Sequence, residues 1–176
     1  ALTGKVNHSG LIEVPMGMSL KRIVGSIGGG TSTGKRIKAV QTGGPSGGVI
    51  PESEMDLPVC YDELKKIGSI MGSGGMIVMD EDDDMVDIAK FYLGFTADES
   101  CGKCAPCRIG GKQLLLLLEK NDDGKAGEED LGDLRPPATS MKKPSPCRRG
   151  QTAPNPVLSN PAFLLARHQP RPRTNQ

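Results

Sequence analysis

The sequence predicts an α+β chain in which a small unit of strands and one helix precedes a helical unit. Three observations carry this. Residues 5 to 40 pass between loose alternation and a short apolar pattern at spacings of three and four, with glycine and proline at the breaks. Residues 85 to 93 and 109 to 120 have helical apolar patterns, the second containing five consecutive leucines, Leu114 to Leu118. Between those two patterns stand Cys101, Cys104 and Cys107, separated by equal gaps of two residues.

Val6, Leu11, Ile12 and Val14 alternate about a turn at Ser9-Gly10, which predicts a β-hairpin over residues 5 to 14. Pro15 to Met18 break it. Ser19 is placed to cap a short helix through Leu20, Ile23, Val24 and Ile27, and glycines 28 to 30 stop that helix. Arg36 to Val40 then alternate as a strand. A hairpin, a helix and further strands within about 50 residues suit a small domain of the β-grasp kind.

Gly29-Gly30-Thr31-Ser32-Thr33-Gly34-Lys35 has the look of a phosphate loop but not its chemistry. Arg36 stands where magnesium coordination needs Ser or Thr, and the segment leads from a helix to a strand, the reverse of the required order. It is expected to be a flexible connection. The second glycine cluster, Gly43 to Gly48, has no helix behind it to bind an anion, and is expected to allow close backbone approach to another domain.

Met76 to Met79 form a short apolar run that predicts a buried strand, followed by the acids Asp80 to Asp84. A calcium loop of the EF-hand type fails, because Met85 stands where its glycine must be. The acids instead suit the positive N-terminus of a helix with Met85, Ile88, Ala89, Tyr92 and Leu93 on its apolar face, ending near Gly94. That helix would deliver Glu99 and Ser100 to the cysteine run. After Cys107, the leucine-rich helix from Ile109 to Lys120 is apolar around much of its circumference, which predicts burial in a bundle, with Leu116 in the core. Asn121 to Gly124 are expected to end it and Glu128 to begin another helix. Five leucines fall far short of a membrane span.

The cysteine run is the chemically informative feature. A [4Fe-4S] cluster takes one cysteine sulfur per iron, and gaps of two residues let a loop present consecutive sulfurs to different corners. The fourth sulfur must come from Cys60 or Cys147, and Cys147 lies far enough downstream for a pair of helices to bring it back. Zinc normally uses two separated Cys-x-x-Cys or Cys/His pairs, and neither a second pair nor a suitably spaced histidine is present. A structural zinc or ligand-binding adaptor without redox activity is nevertheless the competing reading. A disulfide framework is disfavoured by the odd count of five cysteines. Cys60, between Val59 and Tyr61, reads as a small hydrophobe in packing.

Charge divides the chain. Residues 1 to 134 carry a balance of −7 and residues 135 to 176 a balance of +8, with no acid in the second stretch. Arg135-Pro136-Pro137 and Lys142-Lys143-Pro144-Ser145-Pro146 are expected to resist a helix. A basic tail for nucleic acid is disfavoured, because residues 135 to 176 contain Phe163 as their one aromatic.

Met71-Gly72-Ser73-Gly74-Gly75-Met76-Ile77-Val78-Met79-Asp80-Glu81, the Glu99 to Arg108 cysteine segment, Gln41-Thr42-Gly43-Gly44-Pro45-Ser46-Gly47-Gly48 and Gly150-Gln151-Thr152-Ala153-Pro154-Asn155-Pro156 together carry a resemblance. The chain resembles the flavin-bearing, NAD(P)H-binding subunit family of respiratory complex I, and most of all the beta subunits of soluble NAD(P)-linked [FeFe] hydrogenases and formate dehydrogenases. The likeness runs from residue 1 to about 159. It implies a β-grasp domain of the soluble-ligand-binding (SLBB) type at 1–60, a linker and short strand at 61–84, and a helical [4Fe-4S] domain at 85–159; residues 160–176 leave the pattern and are expected to be a disordered tail.

By the same resemblance Cys101, Cys104, Cys107 and Cys147 are the four cluster ligands, and no catalytic residue is assigned. FMN and NAD(P)H are implied for a preceding flavin domain, so that this chain is expected to be the C-terminal portion of a longer subunit. The implied function is electron transfer within an NAD(P)H-dependent oxidoreductase complex. Its implied partners are other iron-sulfur and catalytic subunits, including a thioredoxin-like [2Fe-2S] subunit, with no nucleic acid and no membrane span, in the cytoplasm.

Overall fold

The structure is a computed structural model and describes residues 1–122 and 134–159. Strands β1 (Leu2–Gly4), β2 (Ile37–Thr42), β3 (Val49–Pro51) and β4 (Met76–Asp80) form one sheet in the order β1-β4-β2-β3. β1 runs parallel to β4, while β4 with β2 and β2 with β3 are antiparallel. Val40 lies opposite Ile50 on one side and Val78 on the other.

Alternation then sends two sets of side chains to opposite faces. Val40, Ile50 and Val78 join Leu2, Leu20, Ile23, Val24 and Leu64 in one core. Ala39, Val49 and Met79 join Met85 in a second core on the other face, with Ile88 packed against it. Burial on both faces explains why Met76 to Met79 reads as an unbroken apolar run. The strand expected between two units is thus an interior strand of the sheet, paired on both sides.

The hairpin expected over residues 5 to 14 is not formed. The strand comes earlier, at β1, and the chain closes on itself only through Leu2 and Gly10, which exchange backbone hydrogen bonds of 2.8 and 2.9 Å. Gly4, at φ +87°, turns the chain out of the sheet after three residues. Ile12 and Val14 contribute as side chains packed on the first core.

The first helix follows its expected signals. Ser19 Oγ accepts the Arg22 N–H at 3.3 Å, α1 (Leu20–Arg22) continues into a π-helical turn at Ile23–Ile27, and Gly28 ends it by donating to the Ile23 carbonyl. The following loop is tied down where a flexible connection was expected. Asn7 Nδ2 donates to the Gly29 carbonyl at 2.6 Å, Thr33 Oγ1 donates to Asp80 Oδ2 at 2.7 Å, and Lys35 pairs with Asp82.

Asp80 is the centre of that anchor and is fully buried. Its carboxylate receives Lys5 Nζ at 2.7 Å, Thr33 Oγ1 and the Asp82 N–H. Burial alone would raise its pKa, but these donors outweigh it and hold the carboxyl at about 2. The five acids therefore divide their tasks. Asp84 caps the next helix, accepting from the Val86 and Asp87 N–H groups at 2.9 and 3.4 Å.

α2 (Tyr61–Lys66) packs Leu64 into the first core. Beyond the sheet come α3 (Met85–Asp98), α4 (Ala105–Asp122), α5 (Arg135–Lys142), α6 (Arg148–Thr152) and α7 (Asn155–Leu158). Val86, Ala89, Leu93, Cys107, Leu114, Leu118, Ala138, Met141 and Ala153 form their shared core.

Three expectations are corrected here. α3 passes through Gly94 and ends at Asp98; one glycine costs about 1 kcal/mol in a helix interior, less than the packing of Leu93 and Thr96 on either side supplies. Arg135-Pro136-Pro137 opens a helix, because prolines in the first turn lose only N–H groups that have no partner there. Leu116 is 64% exposed and is not core. The buried stripe of α4 is Cys107, Gly110, Leu114 and Leu118, at spacings of three and four. The expected end of the leucine helix at 121–124, the helix from Glu128 and the tail at 160–176 lie wholly or in part outside the described residues.

The Gly43 to Gly48 segment serves the chain's own interior. Gly43 has φ +79°, and a Cβ there would meet the Ile70 carbonyl at 2.5 Å. The same segment receives the helical unit: Asn155 Nδ2 donates to the Ser46 carbonyl at 3.0 Å, and the Val49 N–H donates to Ser159 Oγ at 3.1 Å.

Candidate metal centre

The three-cysteine run wraps the start of α4. Cys101 is exposed, Cys104 partly buried and Cys107 buried. Cys104 gives its carbonyl to the Arg108 N–H at 3.1 Å, so the helix begins there, and Cys107 falls one turn in on its buried stripe. The intervening loop is held on both sides of one residue, Gly102. The Gly102 N–H donates to Ser100 Oγ at 3.3 Å, and the Gly102 carbonyl accepts Arg108 Nη1 at 3.0 Å. Gly102 has φ +69°, a conformation that disfavours a side chain.

Cys147 is exposed and immediately precedes α6, where its carbonyl accepts the Gln151 N–H at 3.2 Å. One turn later, Gly150 meets the cysteine run. A Cβ on Gly150 would lie 3.4 Å from Cys107 Cβ and 2.3 Å from Ser145 Oγ, so the glycine lets α6 settle directly on Cys107. Ser145 Oγ donates to the Met141 carbonyl at 2.6 Å, and Gln151 Nε2 donates to the Ser145 carbonyl at 3.0 Å, which fixes the turn between α5 and α6. Cys60 is elsewhere. It precedes α2, beside Val59 and Leu64 of the sheet core.

Among the described residues no three His, Cys, Asp or Glu side chains are arranged to hold a metal ion. A four-iron cluster asks for sulfurs spread over four irons. The donor set fits that group: thiols alone, one of them buried, with the glycine contact bringing the helix after Cys147 against Cys107.

Sequence reasoning did not single out Gly102, Gly150 or Ser145. Gly102 and Gly150 lie inside motifs read for their cysteines and prolines, and no periodicity marks a glycine needed for contact. Among the described residues no helix is long and apolar enough to cross a membrane.

Residues 87–162 match the family described as NADH-ubiquinone oxidoreductase-F iron-sulfur binding region. The chain is 54% identical over 159 residues to the NADP-reducing hydrogenase subunit HndC of Solidesulfovibrio fructosivorans, a match that covers 90% of this chain and 32% of that protein. It is 42% identical over 133 residues to the F 2 subunit of NADH-quinone oxidoreductase from Rhizobium meliloti (strain 1021), covering 76% and 31% respectively. The crystal structure of NAD+-reducing [NiFe]-hydrogenase in the H2-reduced state superimposes with a TM-score of 0.80 at 31% identity, over 97% of this chain and 29% of that one. The chain therefore spans about a third of the length of the relatives it matches. Residues 87–162 thus carry the match to the NADH-ubiquinone oxidoreductase-F iron-sulfur binding region, and the chain is similar to part of hydrogenase and quinone-oxidoreductase subunits.

Proposed function

We propose that this chain is the electron-relay part of an NAD(P)H-linked flavin and iron-sulfur oxidoreductase subunit, of the soluble hydrogenase or formate dehydrogenase type. Its centre is one [4Fe-4S] cluster on Cys101, Cys104, Cys107 and Cys147. The observation that supports the fourth ligand is the contact of Gly150 with Cys107, since it brings the helix after Cys147 onto the three-cysteine run. When bound, such a cluster takes up and gives back one electron at a time.

The residues of this chain bind and tune that centre. Burial of Cys107 limits water at its sulfur, and Lys103 and Arg108 put positive charge on the loop. FMN and NAD(P)H belong, in this reading, to the parent subunit, and the partners are further iron-sulfur and catalytic subunits, a thioredoxin-like [2Fe-2S] subunit among them. A cytoplasmic location, a β-grasp (SLBB-type) identity for the sheet unit and a bundle for residues 85–159 complete the proposal. The boundaries at 60, 84 and 159 go with it, although α2 and β4 share the first core.

The test is anaerobic reconstitution of the full chain with iron and sulfide, read by electron paramagnetic resonance. Cys147→Ala should leave a three-iron or labile cluster, and Cys60→Ala an unchanged four-iron signal. The reverse pattern sinks the ligand assignment. A chain that takes up one zinc and no iron-sulfur centre would favour the adaptor reading.

A further inference from the structure

We propose that the Ser100 hydroxyl is a positioning and tuning donor to Cys107 Sγ, and that it raises the potential at which the iron-sulfur centre accepts an electron. The inference rests on the reading of Cys107 as a cluster ligand. Ser100 Oγ lies 3.3 Å from Cys107 Sγ, while the Gly102 N–H donates to the same oxygen at 3.3 Å. A hydroxyl has one proton and two acceptor lone pairs. With Gly102 bound on the acceptor side, the proton is left for the sulfur. A ligating cysteine is a thiolate and can only accept, which fixes the direction of the bond.

Ser100 is held for this task from both directions. Its N–H donates to the Ala97 carbonyl at 3.1 Å, anchoring it to the end of α3. Across the loop, Arg108 Nη1 binds the carbonyl of Gly102 at 3.0 Å, so the residue whose N–H donates to Ser100 is also held through its next peptide group. Cys107 is also the most buried of the run, where water competes least for the sulfur. A hydrogen bond to a cluster sulfur withdraws electron density and favours the reduced, more negative form. Cys101 and Cys147 are exposed, and solvent can provide the same service there.

A purely structural role for Ser100, shaping the loop through Gly102, makes a different forecast. It would lower the fraction of chains that hold a cluster without moving the potential of those that do. The experiment is a potentiometric titration, followed by electron paramagnetic resonance, of the reconstituted full chain and its Ser100→Ala and Ser100→Thr variants. Ser100→Ala should keep the four-iron signal with its midpoint shifted negative, an about three- to tenfold change in the equilibrium from one modest hydrogen bond. Tenfold corresponds to about 59 mV for a one-electron couple. Ser100→Thr, which keeps the hydroxyl, should restore the wild-type midpoint. Equal midpoints in Ser100→Ala and wild type, or failure of Ser100→Ala alone to load a cluster, would overturn the inference. A wild-type chain with no four-iron signal would instead overturn the underlying reading of Cys107.

Discussion

In the sheet unit, side chains are buried on both faces of the strands and a buried carboxylate ties three segments together; in the helical unit, the last two helices are only five and four residues long. Helices that short do not persist alone, because the cost of nucleation is not recovered within one turn. α6 and α7 are kept by tertiary contacts: Gly150 on Cys107, Lys142 Nζ on Asn155 Oδ1 at 3.0 Å, and Asn155 on Ser46. The difference teaches where a cluster matters. The sheet unit has one core of its own and shares the second with Met85 of α3, whereas the helical unit gives a core position to Cys107 and a flanking one to Cys104, and ends in helices that a fourth sulfur ligand would fasten.

The comparison is broken most severely by charging the helical core. Leu114 is fully buried on α4 between Cys107 and Leu118. Leu114→Asp places a carboxylate there without a partner, an effect of roughly 4 kcal/mol or more. The expected result is loss of cluster loading and of amide protection in α4 to α7, with protection retained in β2 and β4. Equal loss in both units would show that they unfold as one.

Asp80 probes the other unit. Asp80→Asn removes a charge that Lys5 and Thr33 both address, and should destabilise the sheet by about 2 kcal/mol while leaving cluster loading unchanged. The pH dependence carries a sign. A carboxyl whose pKa falls from an ordinary value of about 4 to about 2 on folding stabilises fully above the ordinary value and loses that stabilisation as the pH drops toward 2. The gap between the urea midpoints of wild type and Asp80→Asn, followed through β2 amides, should thus stay constant above about pH 4 and narrow below it. A gap that widens in acid would mean that Asp80 is not the group responsible.

How far this contrast could be read in advance depends on the kind of signal. Ser19 before Leu20 and Asp84 before Met85 announce helix starts, because capping is a local hydrogen bond that neighbouring residues state in full. The cysteine run announces its chemistry through spacing alone. The hairpin over 5 to 14 misleads because β1 takes its pairing from β4, more than 70 residues away, and no local pattern records a parallel partner. Gly94 misleads because packing of Leu93 in the helical core outweighs a real propensity, and the prolines of α5 because their place in the first turn removes their cost. Gly43 and Gly150 act through what lies against them, and Gly102 through its positive φ, which only the assembled fold reveals.

The smallest expected effect separates pattern from packing on a single helix. Leu114 to Leu118 look equivalent as a run, yet at 3.6 residues per turn they cannot all face one core. Leu114 and Leu118 are fully buried, while Leu116 lies nearly opposite them and is 64% exposed. Leu116→Asp forfeits a little apolar contact and some helix propensity, about 0.5 kcal/mol. Against this, the new carboxylate has Lys112 one turn before it and Lys120 one turn after, spacings at which opposite charges return a few tenths of a kcal/mol each. The net change should stay within about 0.5 kcal/mol, with wild-type cluster loading. Cluster loss in Leu116→Asp comparable to that in Leu114→Asp would mean that the face of α4 carrying Leu116 is covered in the working protein.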